Sequence, residues 1–296
     1  MRTSLALLAG VALDAAFGDP PNAAHPVAWF GRLAAAIDGV VPRTRAAGGG
    51  VTLGLVAGTA VLAARLAGSA PLAAPLVAWT VTSRRALLDR AIEVADALDA
   101  DDLAEARRLL AWHLVSRDTA DLDASEVAGA AIESVAENLS DGVVAPWCWF
   151  TLCGAPAAAA YRALNTLDGM WGYRTPRYAE FGWAAARGDD LANLLPARLT
   201  AAAIVVASGG GASAAFAAWR QDRTRTESPN AGHPMAAMAG ALGVALRKRD
   251  QYTLNASARD PRAEDVRRAV RLADHAALVA LGAAALSAGV LSGWRR

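Results

Sequence analysis

Three acidic side chains stand four residues apart in the segment AIESVAENLSDG, and their spacing suggests metal chemistry. A continuous helix through Glu133, Glu137 and Asp141 turns each side chain only ~40° from the last, so all three share one face. Like charges at this spacing repel, and no lysine or arginine occurs between Arg117 and Arg162 to offset them. Magnesium, which binds one or two carboxylates together with phosphate oxygens, would relieve the repulsion. We therefore predict a metal site here, with a solvated acidic face as the alternative.

A second collection of charged and amide side chains occupies residues 165–200. It combines Asp168, Asp190 and a neighbouring aspartate with arginines that include Arg174 and Arg198. Carboxylates can orient a metal or an amine, while arginines hold phosphate through paired N–H donors. The alternative is an interfacial loop whose charges neutralise one another.

Two nearly identical turns, PNAAHP at residues 21–26 and PNAGHP at residues 229–234, stand far apart in the chain. A residue before proline is disfavoured in the helical region, while proline suits the first turn of a helix. Each turn is therefore predicted to begin a helix, with its histidine outside. The free amides at such helix starts could receive an anion, and a role of both turns in one site stays open.

The elements that must position these residues are predicted to be helices in a membrane. The chain is 54% hydrophobic and 19% charged, against ~25% charged for soluble domains. An apolar run at the N-terminus reads as a retained membrane segment. Five further windows approach the ~20 residues that a spanning helix needs, and they cover residues 46–64, 66–83, 143–161, 199–219 and 275–294. Prolines in the second and the GGG of the fourth predict breaks.

Two polar segments with helical patterning, about 84–142 and 220–274, separate these windows. Asp101 or Asp102 is predicted to cap one helix, and Asp123 with Glu126 forms a capping box at the start of another. No hairpin signal competes. The predicted fold class is all-α, a polytopic integral membrane protein with amphipathic helical extramembrane segments, in which residues 1–296 form a single domain. A soluble all-helical protein is the alternative.

Charge excludes one class of function and limits another. The formal net charge is +1, so no basic field exists to attract nucleic acid, and no nucleic-acid partner is predicted. Lys248 is the only lysine, and no G-x-x-x-x-G-K-[ST] loop occurs. A nucleotide would therefore have to be held by arginine, backbone amides or metal.

Five blocks in order resemble those of the CobD/CbiB adenosylcobinamide-phosphate synthases, which are polytopic membrane proteins of cobalamin biosynthesis. The blocks are GDPPNAAHPVAWFGR, SRDT followed by LDASEV and AIESVAENLSDGVVAP, GAPAAAAYRALNTLDGMWGYR, FGWAAARGDDLANLLPARLT and SPNAGHPMAAMAGALGV. The resemblance runs from about residue 8 to residue 250. Five ordered blocks are far more specific than any single motif.

The resemblance implies that the protein is an amide ligase and a multi-pass protein of the cell membrane. Such an enzyme joins the amine of an aminopropanol phosphate to the remaining propionate carboxyl of adenosylcobyric acid, and ATP and Mg²⁺ are the expected activating pair. Expected partners are these substrates and membrane lipid, with a homo-oligomer left open. Two other classes stay in view. A transporter should carry ionisable residues near the middle of its spans, and a regulatory relative would not need the acidic stripe.

The resemblance and the residue chemistry together give a set of candidate site residues. Glu137 and Asp141, supported by Glu133, are expected to bind Mg²⁺, and Asp168 or Asp190 is expected to orient or deprotonate the amine. The expected catalytic residues are thus Glu137, Asp141, Asp168 and Asp190, and the expected substrate or phosphate ligands are His25, Arg117, Asn138, Arg174, Arg198 and Asn230. The family is often aromatic at the position of His233, which inherits no role. The GDD motif leaves open which of its two aspartates matters.

Overall fold

Helices hold most of the described chain. The computed structural model describes residues 3–294, with side chains described as far as Ala288. In chain order the elements are α1 (Thr3–Phe17), α2 (Pro26–Asp38), α3 (Arg45–Ser69), α4 (Ala73–Val81), α5 (Arg84–Asp99), α6 (Leu103–His113), α7 (Ala124–Leu139), a π-helical turn (Ser140–Val144), α8 (Ala145–Cys153), α9 (Ala155–Trp171), α10 (Trp183–Ala192), α11 (Leu194–Ala207), a 3₁₀ turn (Gly209–Gly211), α12 (Ala212–Asp222), α13 (Gly232–Leu242), β1 (Leu246–Lys248), β2 (Tyr252–Leu254) and α14 (Ala263–Trp294).

The chain divides into two compact units. Within the described residues, the first unit comprises 3–83, 145–193 and 283–294, and the second comprises 84–144 and 194–282. Both polar segments predicted from the sequence fall inside the second unit.

The first unit is built around α9, which contacts α2, α3, α4, α8 and α10. Its core contains the rings of Trp171 and Phe181, packed edge to face with centroids 4.9 Å apart. Gly48 on α3 allows a close approach to the turn before α10, because a Cβ built there would lie 2.0 Å from the carbonyl oxygen of Phe181. Gly154, with φ of 84°, separates α8 from α9.

The second unit surrounds α7, whose residues 127–136 are all buried. Asp123 and Glu126 form the predicted capping box at its start, and Asp102 caps α6, so both predicted caps are confirmed. The helix contacts α5, α6, α13 and β1. Burial on every side explains why residues 127–136 of α7 include many alanines and only short or β-branched apolar side chains.

An antiparallel hairpin of β1 and β2 corrects the prediction that the chain has no strands. Leu246 pairs with Leu254, and Lys248 with Tyr252. Asp250 adopts φ of 58° in the three-residue loop between the strands, a conformation that aspartate tolerates better than most residues. The strands have three residues each, too short for alternation to be visible in the sequence.

Two described helices are long and apolar enough to cross a membrane, Arg45–Ser69 and Ala263–Ala288, and the pair Trp183–Ala192 and Leu194–Ala207 would add a third if it forms one span. The first two correspond to predicted windows 46–64 and 275–294, although side chains after residue 288 lie outside the described part. The predicted break at GGG is confirmed as the 3₁₀ turn. Windows 66–83, 143–161 and 199–219 do not form single long helices, because proline, Gly154 and the GGG interrupt them.

At the N-terminus, α1 has 15 residues and is shorter than a spanning helix. Residues 1–2 of the predicted segment lie outside the described residues.

Gly48 provides a test of the first unit's packing. We expect Gly48→Ala to destabilise the protein by about 1–3 kcal/mol, because the new methyl group collides with backbone that cannot move aside cheaply. Gly50→Ala on the same helix is the matched control, since nothing lies within 4 Å of its Cβ; it should be neutral or stabilise by up to about 1 kcal/mol. Thermal unfolding in detergent measures both, and equal stabilities of the two variants would contradict the packing described.

Candidate functional site

Glu133 is a deeply buried candidate residue of the second unit. It is 6% exposed, its Oε2 lies 3.7 Å from Nη2 of Arg117, and its Oε1 has no hydrogen-bond partner among the described residues. Burial raises the pKa of Glu133 to about 7, against the opposing effects of Arg117 and of a hydrogen bond with Tyr252. The structure thus brings together Glu133 and Arg117, two residues predicted from the sequence, and gives the carboxyl a proton that can be exchanged near neutral pH.

The loop that carries Arg117 is fixed to the helices on either side. Nε of Arg107 donates to the carbonyl of Leu122 at 2.7 Å, and Oγ of Ser134 donates to the carbonyl of Leu114 at 2.7 Å. The guanidinium is therefore held beside α7 by contacts at both ends of its loop.

The rest of the acidic stripe differs from Glu133 in its surroundings. Glu137 is exposed one turn later, and its charge adds to the raised pKa of Glu133. The α-helix ends at Leu139, so Asp141 lies in the π-helical turn and the α-helical spacing no longer applies to it. Asn138 directs its amide back to Ser134, donating to the carbonyl at 3.0 Å. This contact within the helix uses one donor that a substrate would otherwise take.

The carboxylates of this acidic stripe are the predicted metal ligands. Among the described residues, no group of three or more His, Cys, Asp or Glu side chains is placed to hold a metal ion. The involvement of all of Glu133, Glu137 and Asp141 therefore stays a prediction. Glu133 and Glu137 alone fit a magnesium site in which substrate phosphates supply the other oxygens, because the Oε1 of Glu133 is buried without a partner.

Arg198 and Asn230 form a second predicted pair in this unit. Nη1 of Arg198 donates to Oδ1 of Asn230 at 3.4 Å and to the carbonyl of Leu194 at 2.6 Å. Asn230 is buried in the turn before α13. One edge of the guanidinium is therefore anchored, which leaves the remaining N–H groups for an anion.

The two repeated turns begin their helices differently. His25 is the extended N-cap of α2, its Nδ1 accepts from the amide of Val27 at 3.2 Å, and Pro26 is the first helical residue, as predicted. His233 instead lies inside the first turn of α13, so the prediction that it precedes the helix is wrong. Pro234 is tolerated there because the first four amides of a helix have no helical partner.

In the first unit, the polar side chains gather around Asp189. Asn165 donates to its Oδ1 at 3.2 Å, Asn193 donates to its Oδ2 at 2.9 Å, and the hydroxyl of Tyr161 donates to Oδ1 of Asn193 at 2.8 Å. Asp189 is buried. The sequence left open which aspartate of the GDD motif has a functional role. In the structure, Asp189 is the one that is buried and accepts hydrogen bonds from two asparagines.

Asp168 and Asp190, the two residues predicted for this region, lie beside that network. Burial, with a contribution from the charge of Asp190, raises the pKa of Asp168 to about 6. Asp190 pairs with Arg187 at 3.3 Å and is more accessible. Arg174 lies exposed in the loop after α9. Of the predicted residues in this unit, Asp168 and Asp190 are therefore neighbours.

His25 has an electrostatic setting of its own. Burial lowers its pKa, Arg162 lowers it further, and Asp19 opposes both. The imidazole is therefore neutral at pH 7, which suits an acceptor of a backbone amide and leaves it no positive charge for phosphate.

Sequence reasoning missed two residues that the structure joins to the candidate sites. Tyr161 stands four residues before Asn165 and seven before Asp168, a spacing that places all three on one helix face and that the sequence displays. Tyr252, which interacts with Glu133, lies in the unpredicted hairpin, and no local pattern indicated it.

Glu133→Gln tests the burial of this carboxyl through the pH dependence of stability. The pKa is raised in the folded state, so wild-type stability is greatest below the unfolded value of about 4.5 and is lost as pH rises toward 7. Glutamine has no charge to bury. The free energy of unfolding of the variant should therefore rise relative to that of wild type between these pH values, by about 3 kcal/mol above pH 7. Denaturant unfolding at pH 4.5, 6 and 8 gives the comparison.

Glu126→Gln is the control of opposite sign. The guanidinium of Arg249 lowers the pKa of Glu126, so its stabilisation is already present above about pH 4.5 and this variant should lose stability equally at pH 6 and 8. If the stabilities of wild type and Glu133→Gln differed by the same amount at every pH, the burial of a protonatable carboxyl at this position would be contradicted.

Comparison with known proteins places these groups in a family. The family described as CobD/Cbib protein matches residues 7–280. Three proteins named "Cobalamin biosynthesis protein CobD" are similar over most of their length. The one from Geobacter metallireducens is 46% identical over 83% of this chain and 82% of its own, that from Mycobacterium tuberculosis 43% over 96% and 94%, and that from Chromobacterium violaceum 40% over 99% of each. No solved structure matches. Because the match covers nearly the whole chain, including both groups of carboxylates, this protein belongs to the CobD/CbiB family of cobalamin biosynthesis.

Proposed function

We propose that this protein converts adenosylcobyric acid to adenosylcobinamide phosphate. The amine of an aminopropanol phosphate is joined to the remaining propionate carboxyl, with ATP as the phosphoryl donor. The observation that carries the proposal is that the family-matched region holds two largely buried carboxyls, Glu133 and Asp168, whose pKa values are raised to about 7 and about 6. Such groups exchange protons at the pH where an amide ligase must work.

The reaction has two demands that these residues can meet. A carboxylate oxygen of the propionate attacks the terminal phosphoryl group of ATP, which releases ADP and leaves an acyl phosphate. The amine then attacks the acyl carbon, inorganic phosphate leaves, and the proton lost by the amine passes to a base. The first step needs positive charge around the phosphoryl oxygens, and the second needs a base near the amine.

Arginine supplies the positive charge in this proposal. Arg117 and Arg198 are each anchored by a described side chain, Glu133 at 3.7 Å and Asn230 at 3.4 Å. Anchoring limits the freedom of a long side chain, so less entropy is lost when a phosphate binds. Arg174 is assigned to phosphate or propionate by the resemblance alone.

Magnesium fits the chemistry of Glu133 and Glu137. Both carboxylates would hold the ion, which when bound would offset charge on the transferred phosphoryl group. Arg117, 3.7 Å from Glu133, favours the ionised form of that carboxyl and so partly offsets the effect of burial on its pKa. Asp141 is the further candidate ligand on the π-helical turn.

Asp168 is assigned as the base that accepts the proton of the amine. Its raised pKa of about 6 leaves the Asp168 carboxyl largely ionised at pH 7 and makes it a stronger base than an ordinary aspartate. The carboxylate of Asp190 on α10 adds negative charge that attracts an ammonium group before it is deprotonated. The site would lie in a multi-pass protein of the cell membrane, in contact with lipid, and a homo-oligomer is compatible with it.

Glu137→Gln tests the metal-binding role. We expect ATP-dependent formation of adenosylcobinamide phosphate by membranes to fall by roughly 100-fold or more, because the amide cannot replace an anionic metal ligand. Glu105→Gln is the matched control, since Glu105 is an exposed helical glutamate paired with Arg108. Product is measured by mass spectrometry and protein level by immunoblot; normal turnover of Glu137→Gln would remove this glutamate from the site.

Asp168→Asn tests the base through the pH–rate profile. In wild type, kcat/KM should fall below about pH 6 as Asp168 becomes protonated. The variant should lose that limb and about 10²–10⁴-fold in rate. Asp190→Asn should keep the limb but move it to lower pH, because the charge of Asp190 contributes to the raised pKa. A limb near pH 6 that survives in Asp168→Asn would assign the base elsewhere.

The same preparation distinguishes the other two classes of function. Sealed vesicles that accumulate a corrinoid without forming the amide would indicate a transporter, and vesicles that do neither would indicate a regulatory relative. Consumption of cobyric acid only with both ATP and aminopropanol phosphate present supports the ligase.

A further inference from the structure

A cavity of about 700 Å³ lies in the second unit, outside the acidic stripe. Its walls are the beginning of α7, the β1–β2 hairpin and the residues that precede α14. The volume falls within the ~300–1,000 Å³ of small-molecule sites. Most of the lining side chains are charged or polar, so an apolar ligand is a poor fit.

Three arginines in the lining each pair with a carboxylate. Nε of Arg225 lies 2.7 Å from Oδ1 of the buried Asp222, Arg247 pairs with Asp260, and Arg249 pairs with Glu126. A guanidinium bound along one edge keeps donors on its other edge. Each arginine is thus oriented, and its charge is balanced by its own partner.

Lys248 differs from these arginines. It is the only lysine in the chain, it is half-buried in the cavity wall, and its ammonium forms no ion pair with any residue of the described part. Its charge nevertheless reaches Glu133 closely enough to favour the ionised carboxylate. The cavity therefore contains one cation that has three hydrogen-bond donors and no ion-pair partner among the described residues.

Acidic side chains in the same lining restrict the ligand further. Asp123 caps α7 through the amide of Glu126 at 2.9 Å, and Asp250 stands at the tip of the hairpin. With these carboxylates present, a bare polyanion would be repelled at one side of the cavity. A phosphate that brings its own positive charge matches both sides.

We infer that this cavity binds the phosphate group of a small molecule that also carries a cation, with Lys248 as the central phosphate ligand. The inference rests on the proposed function, which offers two such molecules: aminopropanol phosphate with its ammonium group, and ATP with a bound magnesium ion. Arg225 and Arg247 supply further donors, and Asp123 and Asp250 face the positive charge. The shared chemistry is the cation-bearing phosphate, and titration separates the two sources.

The single lysine allows a direct measurement on the full chain in detergent. Labelling with [¹³Cε]lysine gives one side-chain NMR resonance, which is that of Lys248. It is titrated with aminopropanol phosphate, with a magnesium complex of a non-hydrolysable ATP analogue, and with aminopropanol as the control that lacks phosphate. We expect a saturable shift with one of the phosphate ligands and none with aminopropanol. Absence of a shift with both phosphate ligands would overturn the inference.

Variants test the same binding by calorimetry. Lys248→Gln should weaken the ligand that shifts the resonance by roughly tenfold or more, as expected for a lost hydrogen bond to a charged group, and Lys248→Arg should restore part of the affinity. Arg108→Gln, an exposed arginine of α6 outside the cavity, is the matched control and should leave affinity unchanged. Unchanged affinity in Lys248→Gln would also overturn the inference.

The binding and turnover measurements test the cavity assignment and the proposed function independently. If phosphate binds through Lys248 but the chain forms no amide, the proposed function falls and the cavity assignment stands. If Lys248→Gln ligates with a wild-type KM for both phosphate substrates, the cavity assignment falls and the ligase stands.

Discussion

Placing the carboxylate of Glu133 inside a helix that is buried on every side is the constraint on which the second unit's arrangement depends. An ionised carboxylate in such surroundings costs several kcal/mol unless charge and hydrogen bonds compensate it. Compensation comes from outside α7, from Arg117 on one loop and from Tyr252 and Lys248 on the hairpin. Both of these segments must therefore be held firmly. Asn255, in a left-handed conformation, fixes the end of the hairpin by donating to the carbonyls of Ala239 and Val244.

The first unit compensates a buried carboxylate by different means. Asp189 receives hydrogen bonds from the amides of Asn165 and Asn193, which satisfy both of its oxygens. The carboxyl groups of Asp168, Asp189 and Asp190 are therefore collected on α9 and α10, where Arg187 pairs with Asp190 at 3.3 Å. An arginine in place of either asparagine would neutralise the group and remove its attraction for an amine. In the second unit, the buried Glu133 lies beside Arg117, and that combination suits phosphate and metal chemistry.

Local signals in the sequence predicted the parts of the fold that are determined locally. The capping box at Asp123 and the break at the GGG follow from backbone chemistry within a few residues, and both are confirmed. The membrane spans were overestimated, because windows such as 143–161 count apolar residues and overlook Gly154, whose φ of 84° interrupts the helix. Among site residues, the pairing of Arg198 with Asn230 and of Arg117 with Glu133 joins candidates chosen separately from the sequence. Tyr252 could not be predicted, because its role depends on a hairpin of three-residue strands and on contact with a distant helix.

The repeated PNA-x-HP turns show where local sequence stops determining structure. His25 caps α2 through Nδ1 and leaves the helix to begin at Pro26. In the second turn, Nε1 of Trp219 donates to Nδ1 of His233 at 2.9 Å, so that nitrogen cannot accept from a backbone amide. Without the cap, the helix begins earlier, at Gly232, whose missing side chain allows close approach to the carbonyl of Arg223. Burial and the charge of Arg198 then lower the pKa of His233 to about 4, which keeps it neutral and able to accept from Trp219. The same six-residue pattern therefore gives a capping histidine in one unit and a packed, neutral histidine in the other, and the deciding contact is a tryptophan from a neighbouring helix.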